Sequence, residues 1–151
     1  MKVMDIKEIT KDAVVINENI TFGEAIEAMD KNKTNTLLVT DDEGVLTGEV
    51  TMTDILEAII PDNLDGDQVM EQLYSDEGLR GAVKTAFEKP VIEFMSMDFT
   101  ALNMDDNMIN VIATAIANNR SSIPVVDGDN RPVGIVSRRG LKQIIRKFAS
   151  S

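Results

Sequence analysis

The sequence predicts a mixed α+β fold: two βαββα repeats packed sheet to sheet in a pseudo-twofold module. Three observations carry that expectation. The chain has 151 residues, 43% of them hydrophobic, which is enough for one sizeable core but little for two independent domains. Two stretches, TLLVTDDEGVLTGEVTMTDILEAI (36–59) and SIPVVDGDNRPVGIVSRRGLKQII (122–145), align without a gap at an offset of 86. Within each, β-rich runs give way to a helical stripe, so strand, turn, strand and helix follow in order.

Taken along the chain, residues 13–16 form a short extended run. Thr21 and Glu24 then have capping-box spacing, with Ile20 as the preceding apolar residue. Phe22, Ala25, Ile26 and Met29 recur at i, i+3, i+4 and i+7, which is one face of a helix. A strand around Val39 ends in the turn Asp41-Asp42-Glu43-Gly44, and the next strand runs through Gly48 and Val50 to Thr51. A helix with Ile55 on its inner face follows. Residues 61–90 read as an acidic connector, weakly helical over 67–74 and 79–87, with Gly78 and Gly81 breaking the pattern.

The second half repeats the plan. Residues 100–102 are extended, and Met108, Val111, Ile112, Ala115 and Ile116 form a stripe that starts after Asp106-Asn107. Its register is read as slipped by a residue or two from the first helix. Val125, the turn Asp127-Gly128-Asp129-Asn130, Gly134, Val136, Ser137 and Leu141 then complete the copy. The expected division is a first repeat over 1–60, the connector over 61–90 and a second repeat over 91–151. Neither copy alone would bury much surface.

Composition removes several function classes. With no cysteine and no histidine, disulfides, thiolate metal sites and His-based catalytic triads are excluded. Residues 62–67 do not match the spacing of a calcium loop, and no metal site is expected. A glycine-rich phosphate loop is absent, so no machinery for nucleotide hydrolysis is visible. The N-terminus lacks the apolar core of a secretory signal. The longest uncharged stretch, 107–119, is too short and too polar to span a bilayer. A soluble, cytoplasmic, non-catalytic protein is the expectation, without nucleic-acid or membrane partners.

Net charge is −11 but unevenly spread: −16 over residues 1–116 and +5 over 117–151. The excess of Lys and Arg at the end is either a solvated helix terminus or a local basic surface facing an anion.

Two motifs open the helices of the aligned stretches, Thr51-Met52-Thr53-Asp54 and Ser137-Arg138-Arg139-Gly140. The first has two readings. Thr51 can cap the helix while Asp54 reaches back to its backbone, an arrangement worth about 1 kcal/mol. Alternatively, the helix N-terminus with Thr51 can hold a phosphate while Asp54 accepts from ribose hydroxyls. The two roles are compatible in an empty site. The second motif has lost the carboxylate and carries two arginines, cations that oppose the helix dipole.

Two copies of Gly-h-h-[Thr/Ser]-x-x-[Asp], each preceded by an apolar strand ending in Asp (LLVTD, IPVVD), resemble a tandem pair of cystathionine-β-synthase (CBS) domains, a Bateman module. The resemblance spans about residues 4–148 apart from the connector. It implies a regulatory module that senses AMP, ADP, ATP or S-adenosylmethionine in a cleft shared by the repeats, with no cofactor required. It also implies a flat homodimer formed through helices and an unidentified effector protein.

Carried onto matching positions, the favoured cleft contains Thr36, Thr51 and Asp54, with Asp98, Phe99, Arg120 and Ser121 from the second copy; Arg120 would supply the phosphate charge. Phe99 also reads as a core aromatic. The weaker cleft contains Asp12, Ala13, Asn35, Ser122, Ser137 and Arg139, and Gly140 leaves it without a ribose anchor. The alternative function is a structural dimerisation module that takes no small molecule.

Overall fold

The computed structural model describes residues 6–60, 67, 71, 74–118 and 122–150. A one-turn helix α1 (Ile6–Ile9) and a short strand β1 (Thr10–Lys11) precede the first repeat. That repeat comprises β2 (Val15–Asn17), α2 (Phe22–Asn32), β3 (Thr36–Thr40), β4 (Leu46–Thr51) and α3 (Met52–Ile59). Helix α4 (Asp76–Phe87) and a 3₁₀ turn (Val91–Glu93) lead to the second repeat. Its elements are β5 (Leu102–Asn103), α5 (Met108–Asn118), β6 (Ser122–Val126), β7 (Pro132–Ser137) and α6 (Arg138–Ala149).

Local sequence accounts for most boundaries. Thr21 caps α2 in a full capping box with Glu24, and the helix ends at Lys33 in the left-handed conformation. Ser75 caps α4 by accepting from the Gly78 N–H. Gly78 and Gly81 therefore lie inside a continuous helix and do not break it. Gly81 faces open space, so its cost is one of propensity only, about 1 kcal/mol. Residues 61–66, which include most of the acidic stretch weighed for calcium, and most of 67–73 lie outside the described residues. Among the described residues no cluster of His, Cys, Asp or Glu could hold a metal ion. No described helix is long and apolar enough to cross a membrane.

The internal repeat extends without a gap through the first helices. Helices α2 and α5 begin and end 86 residues apart, as do β3 and β6, and β4 and β7. Ala25 and Val111, aligned at that offset, are both buried. The expected slip in register does not exist. Phe22, Ala25, Ile26 and Met29 fall on Met108, Val111, Ile112 and Ala115 at the same offset. Even the irregularity in strand pairing recurs, after Val39 and after Val125.

The strands form two sheets, β2-β3-β4 and β1-β7-β6-β5. In each repeat the first strand runs parallel to the second, across a helical connection, and the second and third form an antiparallel hairpin. The lead-in segments are exchanged. β1 precedes the first repeat but pairs with β7 of the second. Ser96 precedes the second repeat but bridges to Glu49 in β4 of the first, through two backbone bonds of 2.9 Å. Ile6 and Ile9 accordingly sit in the second core, with Leu102, Val111 and Val136, while Val91 and Met95 sit in the first, with Phe22 and Val50. The two cores thus each draw a lead-in from the other half of the chain.

This exchange explains a paired glycine. A Cβ at Gly48 would lie 2.8 Å from Met95 Sδ and 3.0 Å from the Ser96 carbonyl, and one at Gly134 would strike the Lys11 carbonyl. Each lead-in crosses its sheet where only hydrogen fits. The halves also meet at their turns, where the Leu46 N–H donates to the Asn130 carbonyl and Arg131 donates to the Glu43 carbonyl. Between the sheets, Leu38, Leu46 and Val126 pack with Ala13, Phe99, Ala101 and Ile135.

Candidate functional site

β4 delivers Thr51 to the start of α3, and Asp54 follows one turn in. The capping box is complete: the Thr51 N–H and Oγ1 donate to Asp54 Oδ2 at 2.8 and 3.1 Å, and the Asp54 N–H donates to Thr51 Oγ1 at 3.4 Å. The other carboxylate oxygen, Oδ1, accepts from Ser96 Oγ at 2.8 Å. Asp54 is only 9% exposed, so each of these bonds matters to holding an ionised group there. A carboxylate offers about four acceptor positions, and three are used. One position, plus whatever Ser96 yields, remains for a hydroxyl donor.

Asp54 borders a cavity of about 440 Å³ whose other walls are Glu57, Ala58, Lys89, Glu93 and Phe94. That volume falls within the range of small-molecule sites. Lys89 Nζ donates to the Ala58 carbonyl at 3.2 Å, near the end of α3, where a cation suits the helix dipole. The space beside Asp54 thus lies between α3 and the returning connector.

Of the favoured set, Thr36 and Thr51 are paired across β3 and β4, and Thr51 bonds Asp54 directly. Asp98 is exposed and Phe99 half-buried. Phe99 packs in the seam between the sheets, as its core reading expects, and neither residue lines the cavity beside Asp54. Arg120 and Ser121 lie outside the described residues.

The weaker set divides similarly. Ser122 and Ser137 are paired across β6 and β7, and Ser137 Oγ caps α6 by accepting from the Gly140 N–H at 3.3 Å. Asp12 is exposed and Ala13 packs in the seam. Asn35 is exposed and lines a separate groove with Thr34, Lys33 and Met52. Arg139 and its neighbour Arg138 are exposed in the first turn of α6.

Gly140 is buried. A Cβ there would sit 3.2 Å from the Ile9 carbonyl and 3.3 Å from Ile9 Cβ. The lead-in α1 therefore crowds the position from which an aspartate would start. The second motif keeps its hydroxyl cap, and a side chain at its fourth position would need Ile9 to shift by a few tenths of an ångström.

Motif reading alone missed Ser96 as the partner of Asp54, Lys89, Glu93 and Phe94 as cavity walls, and Ile9 as the residue over Gly140. All lie in lead-in or connector segments outside the gap-free alignment. One signal was available: Ser96 and Thr10 fall at the same offset of 86, and both carry hydroxyls. With Gly140 opposite, the Thr10 hydroxyl instead donates to the Ile6 carbonyl at 2.7 Å. Glu49 was also missed. It is 1% exposed opposite Leu38, where the second repeat has Ile135 in the seam.

The model of the CBS domain matches residues 3–61 and 91–147. The structure is similar to that of the CBS-pair protein CBSX2 from Arabidopsis thaliana, with a TM-score of 0.73 at 16% identity, covering 99% of each chain. It is also similar to the CBS domain pair of protein MJ0100 in complex with 5′-methylthioadenosine and S-adenosyl-L-methionine. There the TM-score is 0.66 at 23% identity, covering 94% of this chain and 99% of that one. The cytosolic domain of the Mg²⁺ channel MgtE in complex with ATP gives 0.67 at 17%, covering 93% of this chain and 48% of that one. At these identities the likeness is one of fold. The family match, two copies of one motif and the two-sheet architecture agree: this chain belongs to the CBS domain family and is a tandem CBS pair.

Proposed function

We propose that this CBS pair is a regulatory, non-catalytic module that takes one adenine nucleotide or adenosyl compound per chain, with Asp54 as its sugar anchor. The observation that carries this reading is the Asp54 carboxylate. It is buried, held in place from both oxygens, retains acceptor capacity, and borders a cavity of about 440 Å³. Thr51 and Thr36 stand on the adjoining strand ends, and Arg120 with Ser121, Asp98 and Phe99 complete the proposed set. Solved CBS pairs with methylthioadenosine and S-adenosylmethionine, and the ATP complex of MgtE, support the ligand class.

Ligand would act by differential affinity. A ribose hydroxyl donating to Asp54 competes with Ser96, whose backbone ties the connector to β4. Whichever arrangement of connector and repeats binds better becomes the populated one. An effector protein would read that change. The expected setting is cytoplasmic.

Isothermal titration with AMP, ADP, ATP and S-adenosylmethionine tests the reading. Binding lost in Asp54→Ala and weakened in Asp54→Asn supports it. A second reading has its own observation: Asp54 is already satisfied by Thr51 and Ser96, as a purely structural carboxylate would be. No heat with any of the four compounds, in a chain that melts cooperatively, would leave the structural dimerisation module.

A further inference from the structure

The positive charge of the second motif is not used by the ligand reading, and it continues along the helix that follows. Helix α6 reads RRGLKQIIRKFA, with five cations and no acid in twelve residues. Gly140 and Ile144 are buried, so Arg138, Lys142 and Arg146, at i, i+4 and i+8, share the opposite, outer side with Arg139. All four are exposed. Among the described residues none of them pairs with a carboxylate, although the chain has 26 acidic residues against 15 basic ones.

The stripe is unfavourable to the helix that carries it. Like charges at i and i+4 repel, and cations in the first turn oppose the dipole. Nor does the fold require charge on this side. At the offset of 86, Arg138, Lys142 and Arg146 fall on Met52, Leu56 and Ile60, which are apolar and 36%, 57% and 43% exposed. Helix α3 itself carries Asp54 and Glu57 and no base. One repeat thus places three cations, about 6 Å apart along the helix axis, where the other has apolar side chains.

We propose that this stripe docks an acidic segment of a partner protein. Its carboxylates would recur about every 6 Å, as at i, i+4 and i+8 of a helix or at alternate positions of an extended strand. Charge complementarity selects this partner: a row of unpaired cations fits a row of carboxylates, and each arginine can take one through two parallel hydrogen bonds. The short extent of the stripe favours polypeptide over other polyanions. A bilayer or a nucleic-acid duplex presents phosphates over a much wider span and would set the −16 of residues 1–116 against like charge. A short acidic segment engages α6 alone. This docking site is separate from Asp54 and stands whether or not a ligand binds there.

The test is fluorescence anisotropy of the full chain with a labelled helical peptide that carries Glu at every fourth position. The peptide is expected to bind at about 50 mM salt and to bind at least about tenfold more weakly at about 300 mM. The triple variant Arg138→Glu, Lys142→Glu, Arg146→Glu, at exposed positions that leave the core intact, is expected to lose binding with unchanged circular dichroism. Lys31→Glu, Arg80→Glu, Lys84→Glu alters three exposed cations of α2 and α4. It makes the same change in net charge and is expected to keep the affinity within about threefold. Phosphatidylglycerol vesicles and a DNA duplex are titrated beside the peptide. No peptide binding at the lower salt overturns the proposal, as does equal weakening by the two triple variants. Binding of vesicles or duplex through the same three cations, without binding of the peptide, assigns the stripe to phosphate and equally overturns it.

Discussion

At Asp54 the first repeat buries a carboxylate that accepts from Thr51 and Ser96. At Gly140 the second repeat buries only backbone, with the Ile9 carbonyl 3.2 Å from where a Cβ would stand. Both helices open on a hydroxyl cap after the same strand, with the same backbone angles to within about 15°. What separates them is the lead-in each receives from the other half. Met95-Ser96 brings the first repeat a hydroxyl and stands off far enough to admit Asp54. Ile9-Thr10 brings the second an isoleucine and narrows the space. A motif copy can therefore lose its anchor where the neighbouring segment narrows the volume, without any change in the motif's own geometry.

The largest effect expected from this comparison is that of Gly140→Asp. It should not create a second ligand site, because the new side chain crowds Ile9, which must shift to admit it. The expected cost is about 3 kcal/mol from overpacking and an unpaired buried charge, read by urea denaturation. A neutral variant that binds two ligands per chain would break the comparison. Asp54→Ala should abolish ligand binding and also cost about 1–2 kcal/mol, since it removes the capping carboxylate and leaves Ser96 Oγ without its acceptor. Titration heats and urea midpoints separate the two losses.

Ser96→Ala sharpens the contrast further. It is expected to cost roughly 1 kcal/mol yet preserve binding, since it frees an acceptor position on Asp54 without touching the anchor. Loss of binding here would mean that the lead-in, not Asp54, organises the site. Stoichiometry in the parent chain should be one ligand per chain.

The smallest effect concerns the second turn. Backbone N–H donors from Arg131 and then Asp129 hold the Asp127 carboxyl below its ordinary value of 3.8. A depressed folded-state pKa contributes stability that is present above the unfolded value and lost as pH falls through the folded one. Asp127→Asn should remove a minor part of the loss seen below about pH 4. Carboxyl NMR titration of Asp127 reads the shift directly.

Much of the fold was legible because it is local. Thr21-x-x-Glu24 and Thr51-x-x-Asp54 specify their caps through bonds within three residues. Asp41 and Asp127 specify their turns in the same way, each accepting from N–H groups two and four residues on. Gly78 and Gly81 were misleading for the opposite reason: packing of α4 on α2 and α3 overrides a propensity cost of about 1 kcal/mol each. The candidate site was legible only at its core. Thr51 and Asp54 are three residues apart, but the groups that complete their surroundings come from positions 89–96, whose approach no local pattern encodes.

By itself, the amino-acid order determined the two repeats, their strand–helix plan, the caps and the turns, since each depends on periodicity and on bonds between near neighbours. Tertiary structure alone decided which segments surround each motif, which helix face is covered and how the halves are tied together. Those outcomes depend on excluded volume and on partners brought from distant parts of the chain. Space at Gly140 is narrowed by Ile9, and cover over Phe22 and Ile59 is provided by α4. Neither fact has a signature within the segment it governs.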